Sequence, residues 1–228
     1  MQNFDFEVVM RTWPFLWQGL IFTIEVTLLS ALGGVVFGTL LAMARLSSIK
    51  PIAWLAGFYV NGLRSIPLLL VIFWFYFLVP YLGAWLIGAK EPVRVGALAS
   101  CLITFIMFEA CYFCEIMRAG IQSISRGQIW AGYAIGLNYW QTMIKVVLPQ
   151  AFRNMLPVLL TQTIILFQDV SLVSVLSIKD FFGAAQLVAT QEGRPLEMYI
   201  TVALIYFVLC FVLSLMVKKL QKKIAIIR

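Results

Sequence analysis

The sequence predicts an all-α polytopic membrane protein with five transmembrane helices. Three observations carry that prediction. The 228 residues are 62% hydrophobic and only 12% charged, the mean hydropathy is +0.96, and five apolar runs approach the length a bilayer requires. Soluble domains carry about a quarter charged residues. This chain carries half that share, so lipid rather than a water-shielded core must receive most of its apolar side chains. A net charge of +7 raises nucleic acid as a partner, but no basic face is interleaved with stacking aromatics, and membrane topology explains the charge better. No nucleic-acid partner is expected.

Crossing about 30 Å of hydrocarbon takes about 20 mostly apolar residues. The runs that qualify cover about 20–44, 66–82, 95–117, 156–175 and 196–217. Residues 1–19 form an external N-terminal segment. It contains Arg11 and Trp13-Pro14, and no short apolar core with a small-residue cleavage site follows, so the first span is expected to anchor itself. The stretch Pro51–Leu63 (PIAWLAGFYVNGL) is apolar too, but Gly62 and Pro67 separate it from the second span. It reads either as a helix on the bilayer surface or as an extension of that span. No solenoid-period repeat or linker divides the chain, so 20–219 is one transmembrane domain and 220–228 a basic tail.

The loops fix the expected orientation. On one side lie Arg45, Lys50, Arg118, Arg126, Lys145, Arg153, Lys218, Lys219, Lys222, Lys223 and Arg228, with no acid beside them outside the spans. The other side mixes Arg11, Lys90, Arg94, Lys179 and Arg194 with Asp5, Glu7, Glu91, Asp180, Glu192 and Glu197. The purely basic side is cytoplasmic by the positive-inside rule. The N-terminus is then outside and the C-terminus cytoplasmic.

Between the third and fourth spans runs SRGQIWAGYAIGLNYWQTMIKVVLP, residues 125–149, too polar and too broken by glycine to cross a membrane. It reads as two short helices with a hinge. Ser125 with Gln128, and Asn138 with Gln141, match capping boxes. Trp130, Tyr133, Ala134 and Leu137 fall at helical spacing on one apolar face, and Trp140, Met143, Ile144 and Val147 on another. Gly136 suits a left-handed C-cap, and Pro149 is expected to end the second helix before the fourth span. Four readings fit such a unit: a helix pair on the lipid surface, a plug beneath the bundle, a plain connector, or a docking knob whose Trp and Tyr enter a partner's groove.

The four cysteines, Cys101, Cys111, Cys114 and Cys210, lie in apolar runs. Cys111 and Cys114 form a C-x-x-C, but no second cysteine pair accompanies it and the chain has no histidine, so inert buried thiols are expected and no metal site.

The stretch GQIWAGYAIGLNYWQTMIKVVLPQAFR resembles the cytoplasmic coupling segment of ABC importer permeases, with Gly136 and Leu148-Pro149 at the motif's Gly and terminal Leu-Pro positions. LRSIPLLL (63–70), FEACYFCEIMRAGIQSISRGQ (108–128) and QDVSLVSVLSIKDFF (168–182) are similar to the polar amino acid permease family, and within it to subunits of glutamate/aspartate uptake systems. The resemblance extends from about Leu20 to Lys219. It implies the type I ABC importer permease fold, with residues 125–149 as the coupling helix. It further implies two permease subunits around a path, two ATP-binding subunits below, an external solute-binding protein and a bacterial cytoplasmic (inner) membrane. Gln128, Trp130, Ala131, Tyr133, Ala134, Gly136, Leu137 and Pro149 are the expected ATPase-coupling residues. The chain departs from the motif where Trp130 replaces its Glu and Gly132 its second Ala, so a partner permease with a fuller motif, hence a heterodimer, is expected. Glutamine or another polar amino acid is the alternative substrate, and an ATP-independent secondary transporter the more distant alternative. No Gly-x-x-x-x-Gly-Lys-Ser/Thr loop is present, so no cofactor and no catalytic residue is assigned to this chain, and ATP is used by the partner.

Ionisable groups inside a membrane are costly and are functional candidates by default. Glu25 suits snorkelling or helix packing. Glu115 and Arg118, at i,i+3, suit a structural ion pair. Glu109 lacks an obvious local partner; it either pairs with Arg64 across helices or carries a proton. Gln168, Asp169 and Ser171, with Thr161 and Gln162 nearer the midplane, could hold an amino acid's ammonium and carboxylate, or simply bond between helices. Arg64, Glu109, Thr161, Gln162, Gln168, Asp169 and Ser171 are the candidate path or gate residues. Asp169 is expected to have a cationic or hydrogen-bonding partner.

Overall fold

The computed structural model describes residues 4–93 and 95–224. Residues 1–3 of the N-terminal segment, Arg94, and residues 225–228 of the basic tail, including Arg228, lie outside the described residues. Among those described the chain is built from helices: α1 Phe6–Arg45, α2 Lys50–Arg64, α3 Leu68–Ile87, α4 Ala97–Gln122, α5 Arg126–Ala134, α6 Tyr139–Leu176, α7 Phe181–Glu192 and α8 Pro195–Ile224. Five of them, α1, α3, α4, α6 and α8, are long and apolar enough to cross a membrane.

The first helix departs from the expected span. It has 40 residues and, at 1.5 Å per residue, is about 60 Å long, twice the hydrocarbon thickness. Residues 6–19 therefore continue the same helix instead of forming a separate segment. Asp5 caps it by accepting from the Glu7 N–H at 3.0 Å, and Pro14 lies inside it. Pro51–Leu63 is a helix of its own, α2, divided from α3 by a turn through Ser65.

Helix α4 is the centre, with α1, α2, α3 and α6 packed around it. What lets α1 approach so closely is a stripe of small buried residues, among them Thr23, Thr27, Ser30, Gly34, Gly38 and Ala42. A β-carbon at Gly38 would lie 2.9 Å from the Ala110 carbonyl oxygen, a clash that sets the two backbones too close for any larger residue. Small-residue seams do this work in membranes because lipid provides no hydrophobic drive between helices. Three apolar clusters stack along the bundle: around Phe181 and Met198, around Phe105 and Val173, and around Val60 and Phe113.

Two prolines share one device. Pro80 and Pro149 each follow a single π-turn, Trp74–Leu78 and Met143–Val147 respectively. The cap N–H of Val79 reaches the Trp74 carbonyl, and that of Leu148 reaches the Met143 carbonyl, each five residues back. A proline ring collides with the carbonyl four residues earlier and offers no N–H. Widening the preceding turn removes the collision and lets the helix continue. Pro149 therefore does not end a helix, contrary to expectation: α6 runs for 38 residues through it, from the coupling segment into the fourth span.

Candidate functional site

Two regions hold the functional candidates: a polar face within the bundle and the segment 126–147.

On the bundle face, Glu109 of α4 is fully buried, and Gln162 of α6 donates through Nε2 to both its oxygens, at 3.1 and 3.3 Å. Arg64, at the end of α2, does not pair with Glu109. Its guanidinium lies over the Tyr112 ring at 5.0 Å, a cation–π contact worth about 0.5–1 kcal/mol at an exposed site. Tyr112 was not singled out by sequence, though it follows Glu109 at i+3 and so shares its face. Asp169 and Gln162, seven residues apart on α6, also share a face, and Asp169 lies within electrostatic range of both Glu109 and Tyr112. The expectation of a partner for Asp169 fails in the single chain: among the described residues no donor or cation reaches its half-buried carboxylate. It stands on the polar face that this subunit leaves uncovered.

The other path candidates diverge. Thr161 and Gln168 open into a separate groove of about 480 Å³ between α6 and α8, beside Tyr206 and Ser214. The Thr161 hydroxyl donates to the Pro157 carbonyl at 2.9 Å. Ser171 sits half-buried in the 3₁₀ turn that finishes α6. Glu115 meets Arg118 at 2.8 Å and, unforeseen in the sequence, Arg45 at the end of α1. Nothing in sequence spacing links residues 45 and 115; only the α1–α4 seam does. Glu25 is exposed on α1. All four cysteines are buried free thiols.

In the coupling segment, Gly136 has φ +85°. Its N–H bonds the Tyr133 carbonyl at 2.9 Å, and Leu137 N–H bonds the Gly132 carbonyl at 3.1 Å. That is a Schellman stop for α5, requiring a left-handed residue at its centre. Asn138 and Gln141 form the second capping box, at 2.9 and 3.0 Å. The first is not formed: Ser125 is the N-cap of α5, but its side chain makes no cap bond. Gly132 packs on Thr142, where an added β-carbon would come to 2.9 Å, so the residue replacing the motif's Ala closes the two helices onto each other.

Side-chain exposure corrects the expected faces. Trp130 is 67% exposed, and Tyr133, Ala134, Ala131 and Gln128 are exposed with it, while Leu137 is half-buried. Instead Ile129 turns inward, against Ile124, Val147 and Ala151. The second face splits, with Trp140 and Ile144 exposed and Val147 buried, because the π-turn shifts the helical register between them. Pro149 is exposed at the start of the regular part of α6. The result is an aromatic cap, Trp130, Tyr133, Tyr139 and Trp140, on a rigidly stopped helix pair.

A family model, the binding-protein-dependent transport system inner membrane component, matches residues 34–226. The chain belongs to that family. It is 46% identical over 227 residues, 99% of this chain and 100% of the relative, to the glutamate/aspartate import permease protein GltK of Escherichia coli O157:H7. It is 34% identical to the L-cystine transport system permease protein TcyB of Bacillus subtilis (strain 168), over 93% of this chain and 87% of the relative. A crystal structure of an amino acid ABC transporter with histidines superposes at a TM-score of 0.87 and 30% identity, over 97% of this chain and 100% of that one. The fold is thus that of type I ABC importer permeases, and the chain is a multi-pass permease subunit of the inner membrane.

Proposed function

We propose that this permease forms half of the path of an ATP-driven importer for glutamate and aspartate. The observation that carries the substrate class is full-length similarity, at 46% identity, to a glutamate/aspartate import permease. The chain stands with its N-terminus outside, a reading supported by the basic loops under the positive-inside rule. It pairs with a second, different permease and rests on two ATP-binding subunits through residues 126–147, while a solute-binding protein delivers the amino acid from outside. ATP hydrolysis belongs to the partners. The exposed aromatic cap supports this contact, since Trp and Tyr on a short fixed helix suit a groove. Nucleotide-driven motion of the ATPases moves the cap, and α6, continuous from Tyr139 to Leu176, carries that motion into the span bearing Gln162 and Asp169.

On the polar face, Arg64 offers a cation to a substrate carboxylate, and Asp169 an anion to its ammonium. Two carboxylates, Glu109 and Asp169, on one face also favour a second reading, glutamine or another polar amino acid without a side-chain charge, because an acidic side chain is repelled there. Uptake of radiolabelled glutamate, aspartate and glutamine by proteoliposomes holding the complete complex separates the two. ATP-dependent uptake of the first two, competed weakly by glutamine, supports the main reading. Glutamine uptake alone supports the second, and uptake without ATP refutes both.

A further inference from the structure

A groove of about 600 Å³ between α1, α6 and α8 serves neither the polar face nor the coupling segment. Its walls include Ile24 and Leu28 of α1, Leu160 and Phe167 of α6, and Leu213 and Leu220 of α8. The two hydroxyls in the wall are already used: Thr27 donates to the Thr23 carbonyl and Thr163 to the Leu159 carbonyl. Nothing in the groove invites water. At 100° per residue, Leu160, Ile164 and Phe167 lie on the side of α6 opposite Gln162 and Asp169. The groove therefore faces away from the polar face and toward lipid.

Its length and its end select the occupant. From Leu209 to Leu220 α8 rises about 17 Å, about half of a 30 Å hydrocarbon core, which is the reach of one acyl chain in one leaflet. Where the stripe ends its flank turns basic: Lys219 follows Met216, and Lys223 follows Leu220, at i+3, while Lys218 and Lys222 lie on the far side of α8. All four are exposed, and none takes part in an ion pair among the described residues. Basic clusters immediately beyond a span attract anionic lipid headgroups.

We propose that this groove binds one acyl chain of an anionic phospholipid whose phosphate is held by Lys219 and Lys223. That the lipid belongs to the cytoplasmic leaflet rests on the orientation proposed above; the contact itself does not. The test is native mass spectrometry of the complete complex, after exchange into equal mixtures of dioleoyl phosphatidylglycerol and dioleoyl phosphatidylcholine. The parent is expected to retain the glycerol lipid at least about fivefold more than the choline lipid. Lys219→Gln with Lys223→Gln should bring that ratio near one, and Leu213→Trp, which fills the groove and leaves the lysines, should reduce retention of both lipids. Equal retention by the parent, an unchanged ratio in the lysine variant, or unchanged retention in Leu213→Trp overturns the proposal. Cross-linking of Leu213→Cys to the second permease also overturns it, since a protein then fills the groove. A Lys223→Cys variant labelled by an impermeant thiol reagent only from outside refutes the orientation, yet leaves a measured lipid preference, and so the contact, standing.

Discussion

The half of the bundle in which α1 and α8 begin differs from the segment 126–147 in where its polar and apolar groups find partners. At the first, Arg194 bridges Glu197 at 3.2 Å and approaches Asp5 at 3.9 Å, while the Asp5 N–H donates to Glu197. Asp180, buried, caps α7 by accepting from Phe182 and Gly183 at 3.1 and 3.0 Å, and the Phe181 N–H donates to Thr23 on α1. This end is finished within the chain. At the second, bonds stay local, within the Schellman stop and the capping box, and the aromatics point outward. Ile135 is 77% exposed and Trp140 70%. A region closed on itself should answer mutation with lost stability; one shaped for a partner should answer with lost function while the chain still folds.

Gly136→Val gives the largest expected effect. A β-branched residue at φ +85° is strained by about 1–2 kcal/mol, and relief of that strain re-aims α5 against α6. Proteoliposome uptake should fall at least about tenfold, while membrane insertion and co-purification of the second permease are retained. Loss of insertion in place of uptake would break the contrast.

Asp180→Ala probes the closed end. Losing an N-cap typically costs about 0.5–2 kcal/mol, here read as a lower melting temperature of the detergent-solubilised complex, with uptake per folded complex near the parent's. Burial pushes the Asp180 carboxyl up to about 6 against the opposing pull of its N–H bonds. The folded state thus holds its proton over a range where the unfolded chain, at about 3.9, has lost it. Stability contributed this way is present at low pH and declines as pH rises from about 4 to about 6. Asp180→Asn, which keeps an acceptor without the charge, should flatten that slope in pH-dependent thermal melts.

How far these two ends could be read from sequence follows from how local their determinants are. The Gly136 stop and the Asn138–Gln141 box depend on residues three or four apart, so their spacing is visible in the chain. The aromatic identity of the coupling cap was equally visible, but its orientation was not, because the inward face of α5 is chosen by tertiary packing, Ile129 rather than Trp130 meeting Ile124, Val147 and Ala151. At the closed end, Asp5, Arg194 and Glu197 were legible only as loop charges. Their meeting depends on α1 extending to Phe6, and Glu7, Arg11 and the Trp13-Pro14 pair in residues 6–19 argued for starting the apolar span after them. Glu109–Gln162 and Arg45–Glu115 likewise arise from which helices touch, α6 on α4 in the first case and the small-residue seam of α1 on α4 in the second, and not from any motif.

A smaller effect is expected from Asp169→Asn. The carboxylate has no partner among the described residues, so its loss should move the melting temperature little, within about 0.5 kcal/mol. If it meets the substrate ammonium, ATP-driven uptake should fall about threefold, with weaker discrimination against analogues lacking the amine. If it latches against the second permease instead, ATPase stimulation by the loaded binding protein should change and discrimination should hold. Parent-like values in both assays would leave Asp169 with neither role.

The smallest effect should come from Arg11, and it separates two ion pairs that lie at the same end. Arg11 meets Glu192 at 2.8 Å, but their side chains are 63% and 38% exposed. Exposed pairs contribute little, since solvent screens them and two long side chains lose freedom in forming them. Arg194 and Glu197 meet at the longer distance of 3.2 Å, with side chains 27% and 5% exposed. Removing Arg194 strands the buried Glu197 carboxylate and deprives Asp5 of its cation, and breaking a buried pair costs more than the pair contributes. Arg11→Ala should therefore leave the melting temperature within error of the parent, whereas Arg194→Ala lowers it clearly. Glu197→Gln introduced with Arg194→Ala should recover part of that loss, because the stranded charge is gone. Equal melting temperatures for Arg11→Ala and Arg194→Ala would mean that burial does not distinguish the two pairs, and that the closed end is held by the Asp180 cap and the Phe181–Thr23 bond alone.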